Sequence, residues 1–148
     1  MKPFNFVMSL SLLILSCDNK KQLNNSSSAQ QEITKAENDF EEMAAEKGIA
    51  EAFWFFADSN AVIKRGNDSL IMGKEGIRNY YAAPHFKTAS VKWSPDFVEA
   101  SADGTMGYTY GKYIWQSKDT TGKLTESKGL FHTVWKKQTD RSWKYVWD

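Results

Sequence analysis

The residues best suited to chemistry include two histidines that lie far apart in the chain. Neither His85 nor His132 belongs to a His-x-His or His-Glu-x-x-His motif of the kind that binds zinc. Gly73-Lys74 begins like a phosphate-binding loop, but Glu75 replaces the Ser or Thr that such a loop requires. We therefore expect no metal and no cofactor, and we assign no catalytic residue, although composition leaves a Ser-His-Asp triad open.

A second group of residues could form a ligand pocket. Aromatic side chains offer large apolar surfaces, to which a cation or an imidazole can add a polar contact. We predict Trp93 and Tyr108 as walls and Arg65 or His132 as the polar contact, and an inward Arg65 would favour an anionic ligand. The alternatives are an ordinary aromatic core, a solvated hairpin arginine and a structural strand histidine. The candidate ligand-binding residues are Arg65, Trp93, Tyr108, Tyr110, His132 and Trp135.

Cys17, the only cysteine, ends a segment that indicates lipid attachment. Lys2 precedes a mostly apolar run from Phe4 to Leu15, which is shorter than the ~20 residues that span a bilayer and is typical of a signal peptide. The run closes on Ile14-Leu15-Ser16-Cys17, which resembles a bacterial lipobox. We predict a lipoprotein signal peptide at 1–16 and export to the cell envelope, anchored through Cys17 to the periplasmic or surface side of a bacterial cell membrane. The alternative is an ordinary signal peptide with an incidental cysteine.

Composition then separates a polar segment from a folded domain. Residues 18–29 carry Leu23 as their one large apolar side chain, so 17–29 is predicted to be the lipidated cysteine with a flexible tether. The domain is predicted to cover 30–148. With 19 Lys and Arg against 18 Asp and Glu, the chain lacks the positive charge that non-specific nucleic-acid binding needs.

The elements that must position the candidate residues follow from periodicity. Apolar residues at helical spacing predict helices, and alternating residues between Gly, Asp and Asn turn signals predict strands. The predicted helices cover 29–47, with Ser28 and Gln31 as a capping box, 49–56 and 73–81. The predicted strands cover 61–63, 69–72, 90–101, 105–117, 124–137 and 142–148. The order ααββαββββ favours an α+β domain with three helices against a strongly curved antiparallel sheet.

Both faces of the predicted sheet carry apolar side chains. Met106, Tyr108, Tyr110 and Ile114 alternate with Thr109, Tyr113 and Trp115 along one strand. An antiparallel sheet exposed on one side is normally polar on that side. We therefore expect helices on one face and a second copy of the chain, as a homodimer, on the other.

Several of these segments together resemble a known family over Gln30 to Asp148. They are Ala45-Glu-Lys-Gly48-Ile-Ala-Glu-Ala-Phe53, Phe56-Ala57-Asp58, Gly73-Lys-Glu-Gly-Ile77, Trp93-Ser-Pro95, Gly107-Tyr-Thr-Tyr-Gly111-Lys-Tyr113 and Thr133-Val-Trp135-Lys-Lys. The pattern resembles small SnoaL-like domains of the nuclear transport factor 2-like, or ketosteroid isomerase-like, superfamily. The resemblance implies a cone-shaped α+β domain with a pocket between helices and sheet, commonly a homodimer.

The resemblance also implies where an isomerase would keep its catalytic groups. Ketosteroid isomerases use an aspartate base and a tyrosine donor, and aligning the Phe56-Ala57-Asp58 segments puts Arg65 and Phe40 at those positions. A guanidinium does not accept a proton, and a phenyl ring donates no hydrogen bond.

Two functional hypotheses remain. The first is a non-catalytic, lipid-anchored domain that binds a small apolar or aromatic ligand or a protein partner. The alternative is a small isomerase, dehydratase or hydrolase, with His132, Asp58 or Asp96 as base and Tyr108 or Tyr110 as donor in the same pocket.

Overall fold

The computed structural model describes residues 12–66, 68–119 and 121–148, with side chains from Lys20 onward. Most of the predicted signal peptide lies outside the described residues, and so does the side chain of Cys17. The helices are α1 (Leu12–Lys47), α2 (Ile49–Phe56) and α3 (Lys74–Tyr81), followed by a 3₁₀ turn at Pro84–Thr88. No helix within the described ranges is both long enough and apolar enough to cross a membrane.

Six strands form one curved sheet. They are β1 (Ala57–Arg65), β2 (Ser69–Met72), β3 (Ser90–Ala100), β4 (Met106–Lys118), β5 (Leu124–Lys137) and β6 (Trp143–Trp147), and they are arranged as β2-β1-β6-β5-β4-β3. The predicted fold class and element order are confirmed. One pairing differs from the expected antiparallel sheet: β1 and β6 run parallel, which makes the sheet mixed.

The first helix begins earlier than its sequence pattern predicts. It starts at Leu12 rather than near Ala29, and Ser28 lies inside it instead of capping it. Ala29 is buried, and the Ser26 hydroxyl donates to the carbonyl oxygen of Ala100 at 3.0 Å. Extending an existing helix adds a hydrogen bond per residue without a new nucleation cost, so polar residues can continue it. Ser26 and Ala29 therefore contact the domain in this structure.

Close packing between strands curves the sheet. β3 carries an irregularity between Pro95 and Phe97, opposite Gly111 of β4. A Cβ atom at Gly111 would collide with the carbonyl oxygen of Ser94, so only glycine fits this approach. The inner face of the sheet thereby wraps around α1 and α2.

Phe40 of α1 is the centre of the aromatic core. Its ring lies 4.8 Å from that of Phe53, 4.9 Å from that of Trp93 and 5.7 Å from that of Tyr145, measured between centroids. Aromatic pairs at these separations stabilise a core beyond the area that they bury. The position that the isomerase alignment assigned to a tyrosine is thus occupied by a fully buried packing residue.

The opposite, outer face of the sheet is apolar as predicted, and in the single chain it is open. Its aromatic centre is a stack of Phe97 on Tyr110, with ring centroids 5.1 Å apart and an interplanar angle of 14°. We call this surface the outer sheet face, and its exposed apolar members are Phe97, Met106, Tyr108, Tyr110, Ile114 and Leu130.

Candidate functional site: an aromatic cavity between helices and sheet

A cavity of about 570 Å³ lies between the helices and the inner face of the sheet. Strands β3 and β4 contribute alternate side chains to it, β5 contributes Ser127 and residues 130–132, and α2, α3 and the 3₁₀ turn close its other side. Its aromatic lining includes Phe53, Tyr81, Trp93, Trp115, Phe131 and Trp147. A volume of this size accommodates a typical small-molecule ligand.

A hydrogen-bonded ion pair borders the cavity. Arg65 ends β1 and Asp148 follows β6, and the parallel pairing of these strands brings them together. The backbone N–H of Lys64 donates to the main-chain oxygen of Asp148 at 2.8 Å, which fixes the register. Arg65 Nη2 then donates to Asp148 Oδ1, and Arg65 Nε donates to the Tyr81 hydroxyl at 2.7 Å.

The ion pair is largely shielded from water, and its two charges compensate each other. The Arg65 side chain is 24% exposed and that of Asp148 is 11% exposed. Burial lowers the pKa of Arg65, but the Asp148 charge and Tyr81 outweigh it and hold that pKa above its ordinary value. The second carboxylate oxygen of Asp148 accepts from the Thr133 hydroxyl at 3.1 Å. Arg65 therefore faces the cavity with its charge already compensated.

A buried acid lies directly behind the cavity wall. Glu37 of α1 is 1% exposed, and Trp93 donates to its Oε1 at 2.6 Å. The Thr109 hydroxyl and the Trp135 indole N–H donate to its Oε2 at 2.6 Å and 3.0 Å. Burial raises the pKa of Glu37 to about 7, against the opposing effect of these three hydrogen bonds. Glu37 thus holds Trp93 in place and changes charge near neutral pH.

Sequence reasoning missed both Glu37 and Asp148. A signal for Glu37 was present, because it lies within the helical stripe of Ile33, Ala36 and Phe40, where a buried acid needs donors from elsewhere in the fold. Asp148 carried no comparable signal, since its partner Arg65 lies 83 positions away.

The structure brings together half of the predicted pocket residues. Arg65, Trp93 and His132 border the cavity. His132 does so from the rim, because it is exposed and pairs across the strands with Tyr110.

The other three predicted pocket residues lie elsewhere. Tyr108 and Tyr110 point to the outer sheet face, so the expected wall at Tyr108 is not part of this cavity. Trp135 is fully buried and binds Glu37 instead of lining the cavity. The pleat of β4 accounts for Tyr108 and Tyr110, whereas Trp135 lies on the inner face of the sheet and packs toward α1.

The remaining polar candidates lie away from the cavity lining. Asp58 accepts the backbone N–H of Asn60 at 3.0 Å and the Gln138 amide at 3.1 Å, and the first of these bonds contributes most to lowering its pKa. Asp96 is exposed on β3, and His85 is exposed beside Phe86, with 3.9 Å between ring centroids. Asp58 therefore stabilises the irregular first part of β1. No group of three His, Cys, Asp or Glu side chains in the described part of the chain is arranged to hold a metal ion.

Solved structures share this fold at low sequence identity. A nuclear transport factor 2-like superfamily protein from Salmonella enterica matches with a TM-score of 0.67 and 18% identity, over 82% of this chain and 88% of its own. A ketosteroid isomerase-like protein from Erwinia carotovora atroseptica matches with a TM-score of 0.64 and 14% identity, over 77% of this chain and 88% of its own.

A third similar structure is the association domain of C. elegans CaMKII. It matches with a TM-score of 0.61 and 16% identity, over 82% of this chain and 93% of its own. No protein-family model matches the chain, and neither does any curated protein. The three structures show that the chain has the nuclear transport factor 2-like fold, which hosts both binding proteins and enzymes.

Proposed function

We propose that this protein is a non-catalytic binding domain for a small apolar or aromatic molecule, which it holds in the cavity between helices and sheet. The observation that carries the proposal is the lining of the cavity. Aromatic rings line this volume of about 570 Å³, and the charges of the ion pair that borders it compensate each other. Burial of apolar surface contributes ~25 cal/mol per Å², so covering ~200 Å² of a ligand would contribute ~5 kcal/mol before association costs.

The alternative, an enzyme, needs a group free to take up a proton. The carboxyl that borders the cavity, Asp148, accepts hydrogen bonds on both oxygens, from Arg65 and from Thr133. His132 lies at the rim and shares the outer sheet face with Tyr110. Asp148 is already hydrogen-bonded and His132 lies at the rim, so these contacts favour binding over proton transfer.

The proposal places the domain in the cell envelope, anchored through lipid on Cys17. Two or more acyl chains on one residue give stable anchoring, since each buried methylene contributes ~0.8 kcal/mol. It also includes a homodimer formed through the outer sheet face, because contiguous exposed apolar side chains are typical of interaction surfaces. The similarity to the CaMKII association domain is compatible with self-association.

Fluorescence titration with a panel of small aromatic compounds tests binding against turnover. We expect compounds that quench tryptophan fluorescence to be recovered unchanged after incubation. Trp93→Ala, which removes a wall, should weaken quenching at least tenfold, whereas His132→Ala at the rim should have a smaller effect. Consumption of a bound compound, with a rate that falls a hundredfold or more in His132→Ala, would establish the enzyme instead.

A further inference from the structure

We infer that the cavity selects an uncharged aromatic ligand with one hydroxyl or carbonyl group, and that the Arg65–Asp148 pair enforces this selection. The inference rests on the proposed function and narrows it to a ligand class. It departs from the expectation that an inward-facing Arg65 favours an anion.

The charges that border the cavity balance one another. Arg65 binds Asp148, and Lys64 binds Asp68 at 2.7 Å in the exposed hairpin. Behind the wall, the buried carboxyl of Glu37 accepts a hydrogen bond from Trp93. Burial and, to a smaller extent, the Asp148 charge raise the pKa of Glu37. An anion in the cavity would therefore be repelled by the Asp148 carboxylate. Replacing Asp148 at the Arg65 guanidinium would break a largely buried ion pair, which is strongly unfavourable.

A cationic ligand meets the opposite obstacle. Aromatic walls attract cations, but Arg65 already occupies that role, with its guanidinium carbon 5.5 Å from the Phe53 ring centroid and 5.8 Å from that of Tyr81. A second cation would be repelled by Arg65 and would compete with it for Asp148. An uncharged ligand avoids both costs.

The ion pair leaves hydrogen-bonding capacity for one polar group. A guanidinium has five N–H donors. Arg65 Nε donates to Tyr81, Nη1 donates to the main-chain oxygens of Lys64 and Asp148, and Nη2 donates once to Asp148 Oδ1. One Nη2 hydrogen and the spare lone pairs of the Asp148 carboxylate remain, which suits a hydroxyl or carbonyl at the end of an apolar body.

Three fluorescent aromatic probes of different charge test the inference on the purified full chain. They are uncharged 6-propionyl-2-dimethylaminonaphthalene, which carries one carbonyl group, anionic 1-anilinonaphthalene-8-sulfonate and cationic thioflavin T. Ser127→Trp is the matched control: Ser127 is an exposed cavity-lining residue on the inner face of β5, so a Trp there should obstruct the cavity and leave the outer sheet face intact. Only binding that this variant abolishes is counted.

We expect the uncharged probe to bind in the cavity at least tenfold more tightly than either charged probe. Tighter or equal cavity binding of a charged probe overturns the inference and leaves the proposed function standing. If Ser127→Trp abolishes the binding of none of the three probes, the proposed function itself is contradicted.

A second measurement asks whether the ion pair causes the selectivity. Asp148→Asn leaves the Arg65 guanidinium uncompensated, so the ratio of anionic to uncharged probe affinity should rise at least tenfold. Because 1-anilinonaphthalene-8-sulfonate also binds partly unfolded chains, only binding that Ser127→Trp abolishes in the Asp148→Asn background is counted. An unchanged ratio would show that Arg65 and Asp148 do not set the selectivity, and the comparison of probes on the unmodified chain stands even where the variant does not fold.

Discussion

Replacing Glu37 with Gln should change how stability depends on pH. Burial raises the pKa of Glu37 from its ordinary 4.5 to about 7 in the folded chain. Between these values the folded chain holds a proton that the unfolded chain has released, so the free energy of unfolding falls as pH rises. A tenfold change in proton affinity corresponds to ~1.4 kcal/mol, and the full fall is therefore ~3 kcal/mol.

The Gln side chain removes this dependence and can keep all but one of the contacts, because its amide nitrogen cannot accept the Trp135 indole N–H that Glu37 Oε2 accepts. Its carbonyl can accept from Trp93 while its amide donates to the Thr109 hydroxyl, which lies 2.6 Å from Glu37 Oε2 and 3.3 Å from the Trp135 indole nitrogen. Glu37→Gln therefore lacks the loss of stability that the unmodified chain suffers as Glu37 ionises.

Urea denaturation at intervals from pH 4.5 to 8 measures the effect. We expect the stability of Glu37→Gln relative to the unmodified chain to rise by ~3 kcal/mol across this range, because the other titrating groups are common to both. Glu32→Gln is the control: hydrogen bonds from Lys137 and Trp143 lower the pKa of Glu32, so its contribution is lost only as pH falls below 4.5, and its difference from the unmodified chain should stay constant. A constant difference for Glu37→Gln as well would refute the reasoning.

Three further predictions concern the cavity wall, the outer sheet face and Cys17. Gly129→Ala should weaken binding of 6-propionyl-2-dimethylaminonaphthalene several-fold by titration, because the added Cβ would lie 2.6 Å from the Tyr113 hydroxyl oxygen and would displace this cavity-lining side chain; unchanged affinity would contradict this. Tyr110→Asp should reduce the mass measured by light scattering from a dimer to a monomer, because it places a charge on the outer sheet face, whereas Lys35→Ala on α1 should remain dimeric; a monomeric unmodified chain would exclude the interface. Cys17→Ser should abolish labelling by a radioactive fatty acid and leave the precursor unprocessed, and retained labelling would contradict the predicted lipid anchor.

Sequence periodicity was sufficient for the element order and for the two faces of β4. Those features depend on local patterns: alternation along Met106–Lys118 divides Tyr108 and Tyr110 from Thr109 and Tyr113, and this division is confirmed. The alternation alone does not show which face the helices cover, so it could not decide whether Tyr108 and Trp93 share a cavity.

The features that sequence reasoning missed depend on contacts between distant segments. The parallel pairing of β1 with β6 joins Arg65 to Asp148, and neither segment alone carries a signal for that pairing. Glu37 satisfies its carboxyl through residues on β3, β4 and β5, and such partners become visible only in the folded chain. Arg65 borders the cavity, and the ligand preference that we infer for it depends on Asp148, which the sequence did not connect to it.

Occupancy of the cavity is the most direct test of the account. Native mass spectrometry of the full chain, purified without added ligand beside the Ser127→Trp variant, measures it. The account predicts a discrete small molecule that is retained by the unmodified chain, is released intact on activation and is absent from the variant. Identical masses for the two proteins, apart from the substitution itself, would contradict it.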